Sequence, residues 1–155
     1  MHKTNISLSD SEIFIVYFLA ACRKGLLEIA KILVKHGASL NAKTDEEHGG
    51  NTPLHEAALS GQPDIVRFII DSGAKVDARN DCKRTPLHRA AYHGATAVVQ
   101  VLLDMGANID ARDENGRTPL HWAVFWNRSE TIKLLMDNGA NPNIQDKIKQ
   151  TPLDF

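Results

Sequence analysis

The sequence predicts an all-α solenoid, a row of stacked helix-turn-helix units joined by hairpin loops. The first observation behind this fold class is that Thr-Pro-Leu begins at four places separated by three successive intervals of 33 residues: Thr52, Thr85, Thr118 and Thr151. The second is that Gly-Ala recurs with intervals of 36, 33 and 33 residues, at Gly37, Gly73, Gly106 and Gly139. A fixed period of about 20 to 50 residues is typical of proteins that stack one small unit on the next.

The unit that begins at Thr85 shows why each repeat starts with a short helix. Thr85 is a favourable N-cap residue, and Pro86 supplies a fixed φ at the first helical position, where its missing N–H is not needed. Residues 87–91 place Leu and Ala on one face, and the small alanines allow a second helix to approach closely. Gly94 then ends the helix, because glycine adopts the left-handed conformation that other residues resist.

A second helix follows within the same unit. Residues 98–103 are mostly apolar, so this helix has to be buried against its partner and against neighbouring units. Gly106 ends it, and residues 108–117, rich in Asn, Asp and Gly, turn the chain back to the next Thr-Pro. Helices of about eight to ten residues are too short to be stable alone in water. Each unit therefore depends on its neighbours, as in a one-dimensional solenoid.

The apolar run at residues 13–22 fits the first helix of the first unit, although it lacks Thr-Pro-Leu. Aligning the glycines places Val16 at the position of Thr52 and Phe18 at that of Leu54. The run imitates a secretion signal, but acidic residues stand just before it, and its ten apolar residues are about half of a membrane span. We therefore expect an ordinary buried helix.

The other end of the chain begins a fifth unit with residues 151–155. Because the unit stops after five residues, we expect this segment to be a truncation or a frayed stub. A frayed end would leave the second helix of the fourth unit, Thr131 to Met136, poorly covered.

Three segments make the sequence resemble the ankyrin repeat family: TPLHEAA from Thr52, TPLHRAA from Thr85 and TPLHWA from Thr118. The resemblance covers about residues 10 to 155. It implies packed helix pairs with hairpin loops that project to one side and a concave surface. The expected organisation is a tail at 1–10 and a repeat domain at 11–155, with repeats at about 11–43, 50–79, 83–112 and 116–145 and a partial repeat at about 149–155.

Composition and charge exclude several classes of function. Of the 155 residues, 43% are apolar and 24% charged, as in an ordinary globular domain. Eighteen Lys and Arg against 19 Asp and Glu give a formal charge of −1, so no long-range field attracts nucleic acid or an anionic membrane. Two cysteines are too few for a disulfide framework and favour a cytoplasmic or other reducing compartment. Cys22 is expected to be buried, and Cys82 to be exposed at a hairpin tip.

The histidines suggest a metal or catalytic site, but their spacing argues against one. His55, His88 and His121 are spaced like the repeat. Neighbouring stacked helices lie about 8 to 10 Å apart, too far for these rings to share a zinc ion with bonds of about 2.0 Å. The resemblance implies instead that each ring bonds to loop backbone between units. The sequence contains no phosphate loop, nucleophile elbow or Cys-His cluster, so we expect no enzyme activity, metal or cofactor.

Exposed positions that differ between repeats are the candidates for partner binding, because the fold dictates the others. In the ankyrin repeat family the end of the first helix lines the concave face. The candidates on this face are Arg89, Tyr92, His93, Trp122, Phe125 and Trp126. The candidates at the hairpin tips are Asp81, Arg84, Glu114 and Arg117. Aromatic and Arg side chains are common interface anchors, and the arginines favour an acidic or aromatic segment of a partner.

An alternative keeps the large aromatic side chains inside the protein. Phe125 and Trp126 then fill gaps between first helices, since Asn127 stands where other repeats have glycine. The hairpin tips also differ: Gly116 fits a turn that needs positive φ, and Lys83 at the equivalent place predicts a different or strained turn.

The sequence therefore favours a non-enzymatic protein-interaction module, a monomer that binds another protein through its hairpin tips and concave face. An alternative from another class is the partner-recruiting fragment of a larger enzyme or secreted effector whose catalytic domain lies outside this chain. A third hypothesis is a kinase inhibitor similar to the small four-repeat ankyrin proteins that block cyclin-dependent kinases, although their second repeat is distorted where this one is regular.

Overall fold

The computed structural model describes residues 9–155, which form a row of four helix pairs. The pairs are α1 (Asp10–Lys24) with α2 (Leu27–Lys35), α3 (Pro53–Leu59) with α4 (Pro63–Asp71), α5 (Pro86–His93) with α6 (Thr96–Asp104), and α7 (Pro119–Phe125) with α8 (Ser129–Asp137). Two short 3₁₀ turns lie at Glu46–His48 and Pro152–Asp154. The described residues contain no strand, so the fold is all-α, as predicted.

The helices pack in two rows around one continuous core. The first helices α1, α3, α5 and α7 contact one another in order, and α2, α4, α6 and α8 form the second row. Leu54, Leu87 and Leu120 occupy equivalent positions on three first helices and are at most 1% exposed. Phe18 on α1 is also fully buried, so the alignment of Phe18 with Leu54 is confirmed.

The Thr-Pro start of each repeat behaves as the sequence predicts. In α5, Thr85 is the N-cap, Pro86 is the first helical residue, and Thr85 and His88 form a reciprocal capping box. The box uses histidine where a glutamate or glutamine is usual. Gly94 ends the helix with φ 70°. The same box opens α3 and α7.

The first helix is longer than the repeat frame predicts. It spans 15 residues, whereas α3 spans seven. Ser9 caps it, since the backbone N–H of Ser9 donates to Glu12 Oε2 at 2.7 Å and the N–H of Glu12 donates to Ser9 Oγ at 3.3 Å. Asp10, expected in the tail at 1–10, is thus the first helical residue, and residues 1–8 lie outside the described part of the chain.

The prediction of a frayed end is wrong for Thr151–Phe155. Pro152 is buried in a 3₁₀ turn that packs against α7, and Asp154 Oδ2 accepts a hydrogen bond from the backbone N–H of Thr151 at 2.6 Å. Phe155 places its ring 5.6 Å from that of Phe125. The turn does not cover α8, however. Only Thr131 and Leu135 of that helix are buried, as expected from its position.

Two kinds of turn carry a non-glycine residue in the left-handed region. At the hairpin tips Gly116 has φ 76°, and the equivalent Lys83 and Lys149 have φ 57° and 63°. After the first helix of the fourth repeat Asn127 has φ 53°, where Gly94 has φ 70° in the third. Of the two outcomes predicted for Lys83, the different turn is not found, because Lys83 adopts the same left-handed conformation as Gly116, which is unfavourable for a residue with a Cβ atom.

Candidate protein-binding surface

Three buried histidines connect each first helix to the hairpin that follows it. Each Nε2–H donates to the carbonyl of the residue just before the next Thr-Pro: His55 to Arg84 at 2.8 Å, His88 to Arg117 at 2.9 Å, and His121 to Gln150 at 3.1 Å. Each Nδ1 accepts a hydrogen bond from the backbone N–H of the threonine three residues earlier. The prediction that these rings bond to loop backbone and threonine is confirmed.

This hydrogen bonding requires neutral histidines. Burial lowers the pKa of His55 and of His88 to about 4, and it also lowers the pKa of His121. Both nitrogens of each ring already have a backbone partner, so neither is available to bind a metal or to accept a proton from a substrate. In residues 9–155, no group of three or more His, Cys, Asp and Glu side chains is arranged to hold a metal ion.

The hairpin tips form a second row, linked by backbone hydrogen bonds. The N–H of Asp81 donates to the carbonyl of Gly49 at 3.1 Å, and the N–H of Glu114 donates to that of Cys82 at 3.0 Å. The side chains of Asp81 and Glu114, both candidates from the sequence, are exposed. Because their backbones are tied to the preceding hairpin, these carboxylates project from a fixed frame.

The two candidate arginines of the hairpins lie against Trp122. The guanidinium carbon of Arg84 is 4.3 Å from the centroid of the Trp122 ring, and that of Arg117 is 5.7 Å away. Trp122 Nε1–H donates to Asp113 Oδ2 at 3.0 Å, and Arg84 Nε lies 3.7 Å from the same oxygen. Arg117 Nε donates to Asp146 Oδ2 at 3.2 Å. Trp122 is only 9% exposed, so it supports this surface from beneath.

Around Trp122 lie four further aromatic side chains; we call the five together the aromatic cluster: Tyr92, Trp122, Phe125, Trp126 and Phe155. The ring centroids of Tyr92 and Trp126 are 4.8 Å apart, and those of Phe125 and Trp126 are 5.4 Å apart. Phe125 nevertheless remains 52% exposed and Trp126 41% exposed. The internal-packing alternative from the sequence therefore holds in part, since the rings pack on one another. The docking patch stays a prediction, and the exposure of Phe125 and Trp126 leaves these two rings open for it.

Arg89, the concave candidate of the third repeat, has an unbalanced charge. Its Nε is buried without a hydrogen-bond partner, and among residues 9–155 it takes part in no ion pair. The nearby carboxylate of Glu56 is fully buried and already engaged, because it accepts hydrogen bonds from Arg23 Nε at 2.5 Å and from Asn51 Nδ2 at 3.0 Å. Burial, and then the charge of Arg84, lower the pKa of Arg89 against the effect of Glu56.

His93 lies beside this charge at the exposed end of α5. Its ring centroid is 4.7 Å from that of Tyr92. Burial lowers the pKa of His93, and the positive charges of Arg89 and Arg128 lower it further. Arg128 is held in place, because its Nε donates to the carbonyl of Tyr92 at 3.0 Å. The end of α5 therefore carries positive charge next to an aromatic ring.

A groove at the other end of the concave face was not predicted. It has a volume of about 590 Å³ and lies between α1 and the first hairpin; its lining residues include Ile15, Leu19, Ala20, Arg23, Lys43 and His48. The groove depends on the loop at residues 43–48, where this chain departs from the 33-residue period.

Sequence reasoning also missed Glu56 as a site residue, although Glu56, Arg89 and Trp122 share one repeat position and the difference between them was visible in the sequence.

The cysteines differ in burial, and neither is in a disulfide. Cys22 is fully buried, and burial raises the pKa of its thiol to about 12. Cys82 is half-buried at its hairpin tip, less exposed than expected, and burial raises the pKa of its thiol as well.

None of the helices in residues 9–155 combines the length and apolarity needed to cross a membrane.

Comparison with known proteins gives matches over parts of the chain. A family model described as ankyrin repeats, in three copies, matches residues 15–80 and 72–146. Protein phosphatase 1 regulatory subunit 27 of Homo sapiens is 46% identical over 61 residues, which are 39% of this chain and 38% of that protein. Protein fem-1 homolog C of Homo sapiens is 41% identical over 59 residues, 38% of this chain and 9% of that protein.

A third relative comes from an insect. The ankyrin repeat and KH domain-containing protein mask of Drosophila melanogaster is 41% identical over 58 residues, 37% of this chain and 1% of that protein. The chain thus spans 38% or less of the length of these relatives. Since the matching family model covers residues 15–146, well over half of the chain, and the helix pairs repeat as its units require, the chain belongs to the ankyrin repeat family.

Proposed function

We propose that this chain is a non-catalytic protein-interaction module that binds a partner protein through its concave first-helix face and its hairpin tips. Solenoids of this kind use their extended concave surface for binding. The observation that carries the proposal is the exposure of Phe125 and Trp126, which are 52% and 41% exposed above the rest of the aromatic cluster. Large aromatic side chains are the residues most often found as energetic anchors in protein interfaces.

The surface is well prepared for binding, because its parts are held before a partner arrives. Backbone hydrogen bonds join successive hairpins, and each buried histidine fixes one hairpin to the helix before it. Arg84 and Arg117 are positioned by Trp122 and by the carboxylates of Asp113 and Asp146. Groups that are already ordered lose less conformational entropy on binding, which favours affinity.

We assign different roles to the ten candidate residues. Tyr92, Phe125 and Trp126 supply the apolar anchor, and Trp122 supports it from below. Arg84, Arg89 and Arg117 add positive charge around the anchor, and the ring of His93, whose pKa is lowered, lies beside Tyr92 as a neutral group. The exposed hairpin carboxylates, Asp81 and Glu114, lie at the rim, where they contribute to the choice of partner more than to affinity.

The proposal is tested by substituting the anchor. The double variant Tyr92→Ala, Trp126→Ala should lose the proteins that the wild-type chain captures from a cell extract, as quantified by mass spectrometry. For a purified partner found in this way, loss of one anchor should weaken binding by about 1 to 4 kcal/mol, or roughly 5-fold to 1,000-fold. The matched control is Tyr17→Ala, which removes an aromatic side chain that is 63% exposed on α1. Equal capture by all three proteins would exclude the aromatic cluster as the binding site.

The name of one relative favours a more specific second candidate. The relative with 46% identity over 61 residues is called a regulatory subunit of protein phosphatase 1. If this chain acts in the same way, it should form a complex with the purified catalytic subunit of that phosphatase, measurable by light scattering coupled to size-exclusion chromatography. A catalytic subunit that elutes unchanged in the presence of the chain would exclude this candidate and leave the general proposal in place.

The assembly and location of the chain belong to the same proposal. We expect a monomer, which the light-scattering measurement reports directly for the chain alone. Two cysteines that form no disulfide suit the cytoplasm or another reducing compartment. Fluorescent labelling of the chain in cells, with fractionation, tests the location.

A further inference from the structure

We propose that the concave face recognises an extended acidic segment of the partner protein, with one carboxylate of that segment bound by Arg89 between two apolar subsites. This inference rests on the proposed function, because it specifies the partner's chemistry at the same surface. It follows from the charges near Arg89, from the apolar regions on either side and from the spacing of the first helices.

The charges around Arg89 are not balanced within the described residues, 9–155. Three guanidinium groups, those of Arg23, Arg84 and Arg89, lie close enough to influence one another, and the carboxylate of Glu56 lies among them. Both oxygens of Glu56 are occupied, one by Arg23 and the other by Asn51. Glu56 makes no hydrogen bond or ion pair with Arg89, and since Asp113 lies beside Arg84, the group of three arginines and two carboxylates keeps one net positive charge.

Arg89 has the donors that a carboxylate needs. Its Nε is buried and has no hydrogen-bond partner, while the residue as a whole is only partly buried. A guanidinium group presents its N–H donors in a planar fork that matches the two oxygens of a carboxylate. Because Nε itself is buried, a carboxylate from outside would meet the terminal Nη groups of Arg89. An unpaired charge in a partly buried place is unfavourable, so such a carboxylate would relieve that cost. Arg89 is the arginine of this group with neither a hydrogen bond nor an ion pair in residues 9–155.

Apolar subsites lie on both sides of this charge. Toward the fourth repeat, the aromatic cluster exposes Phe125 and Trp126. Toward the first repeat lies the groove of about 590 Å³, whose lining includes Ile15 and Leu19. Arg23 belongs both to the lining of that groove and to the ion pair with Glu56, so the groove and the charged centre are continuous.

The order of the first helices sets the length of the segment. Stacked helices lie about 8 to 10 Å apart, and an extended chain advances about 3.3 Å per residue. From α1 to α7 is three helix steps, or about seven to nine residues. Arg89 lies on α5, one step from α7 and two from α1. The acidic residue should therefore lie about three residues from the apolar side chain that meets the aromatic cluster and about five or six from the one in the groove.

A single carboxylate fits this face better than a run of phosphates. Arg84 and Arg117 each already lie beside an acidic side chain, that of Asp113 and that of Asp146. These two carboxylates would repel successive phosphates of a nucleic acid, whereas one acidic side chain needs only Arg89. The chain as a whole carries a formal charge of −1, which adds no general attraction for polyanions.

The test selects peptides from a displayed random library, about twelve residues long to exceed the expected span. The immobilised baits are the wild-type chain, Arg89→Gln and the matched control Arg67→Gln, which removes an exposed arginine of α4. Wild type and Arg67→Gln should both enrich Asp or Glu about three residues from a large apolar side chain. Arg89→Gln should enrich the apolar position without the acidic one. Arg89→Lys keeps the charge but not the fork, so it should retain a weaker acidic preference.

A selected peptide then gives the quantitative test by calorimetry. Changing its acidic residue to the matching amide should weaken binding to wild type about 10-fold or more, and binding to Arg89→Gln less than about 2-fold. Circular dichroism and thermal unfolding show whether each variant is folded, and Arg89→Lys replaces Arg89→Gln if the latter is not.

Four results would overturn the inference. If wild type enriches apolar patterns with no acidic position, or if Arg89→Gln keeps the acidic preference, the inference is wrong while the proposed function stands. If no peptide is enriched by wild type, the concave face does not bind extended segments, and the inference is again wrong. If light scattering shows a dimer of the chain that no selected peptide dissociates, the concave face is occupied by a second copy of the chain, and the inference is wrong. The capture experiment with Tyr92→Ala, Trp126→Ala judges the proposed function separately.

Discussion

The guanidinium carbon of Arg84 lies 4.3 Å from the centroid of the Trp122 ring, although the two residues belong to hairpins and helices of successive repeats. On the indole edge, Trp122 Nε1–H donates to Asp113 at 3.0 Å. The contact of Arg84 holds the hairpin before α5, and the contact of Asp113 holds the hairpin before α7, against the first helix of the fourth repeat. Trp122 therefore contributes mainly to stability, whereas Trp126, which is 41% exposed, is free to meet a partner.

The two tryptophans should respond differently to truncation. Trp122→Ala should lower the free energy of unfolding by about 3 to 5 kcal/mol, because it removes a large buried side chain and takes away the hydrogen bond that Asp113 Oδ2 accepts. Trp126→Ala should lower it by less than about 1.5 kcal/mol, because the ring is partly in solvent already. Urea unfolding monitored by circular dichroism measures both. Equal losses would mean that both rings are structural and would remove the main support for the aromatic anchor.

Leu120→Ala tests the repeat register. Leu120 is 1% exposed in the core between first helices, so its truncation should lower the free energy of unfolding by about 2 to 5 kcal/mol. Leu153→Ala is the matched control, since that side chain is 71% exposed and its loss should change stability by less than about 0.5 kcal/mol. A loss below about 1 kcal/mol for Leu120→Ala would contradict the packing described for α7.

The repeat frame was predictable because its residues act locally. Thr85, Pro86 and His88 build the helix start within four positions, and Thr-Pro-Leu recurs every 33 residues. The longer α1 had a local pattern too, Ser9 with Glu12 three residues later, which the repeat alignment concealed. Periodicity therefore predicted the helices well and their exact starts less well.

The candidate site was predictable only as a set of positions. The repeat shows that Glu56, Arg89 and Trp122 are equivalent, but not that Glu56 is fully buried while Arg89 has no carboxylate partner. Those outcomes depend on which side chains meet, such as Arg23, which binds Glu56 from 33 residues away, and Arg84, which approaches from the hairpin before α5. Contacts between repeats follow from which residue types happen to meet, and no periodic pattern encodes that.

The buried histidines predict a loss of stability in mild acid. The pKa of His55 and of His88 is about 4 in the folded chain, against 6.5 for the unperturbed group. Below pH 6.5 the unfolded chain binds protons that the folded chain does not, so stability is fully present above that pH and falls as the pH drops toward 4. At pH 5 the loss relative to pH 7 should be about 2 kcal/mol for each of these two histidines.

Urea unfolding between pH 7 and pH 5 measures this slope. Carboxyl groups such as Asp45 and Asp146, whose pKa values lie below 3.8, lose their stabilising effect only at lower pH, so they do not contribute in this range. His88→Gln should be less stable at pH 7 but should show a shallower slope, because one titrating group is gone. A slope that His88→Gln leaves unchanged would contradict the assignment.

The two thiols should differ strongly in reactivity. The thiolate is the reactive form, and the pKa of the buried Cys22 is raised to about 12 by burial and by the nearby charge of Glu56. Cys82 is half-buried, so an aromatic disulfide reagent at pH 8 should modify it slowly in the native chain and spare Cys22. Cys82→Ser should then show no native labelling and one labelled thiol after unfolding. Comparable labelling of both native thiols would contradict the burial of Cys22.

The strained hairpin tip offers a stabilising substitution. Lys83 has φ 57°, and the equivalent Gly116 has φ 76°, so the turn has the same left-handed conformation in both repeats. Lys83→Gly should raise the free energy of unfolding by about 0.5 to 1 kcal/mol, because glycine adopts this conformation without the steric cost of a Cβ atom.

Two matched variants show whether the effect at this hairpin tip belongs to the turn. Lys133→Gly, in the middle of α8, should lower stability by about 1 kcal/mol, since glycine is unfavourable within a helix. Gly116→Ala should also lower stability, because its Cβ would lie 2.9 Å from Arg112 Nη2 in addition to the positive φ. Thermal and urea unfolding compare the three variants with wild type. If Lys83→Gly destabilises the chain as Lys133→Gly does, the turn at Lys83 is not strained, and its side chain contributes contacts that outweigh the conformational cost.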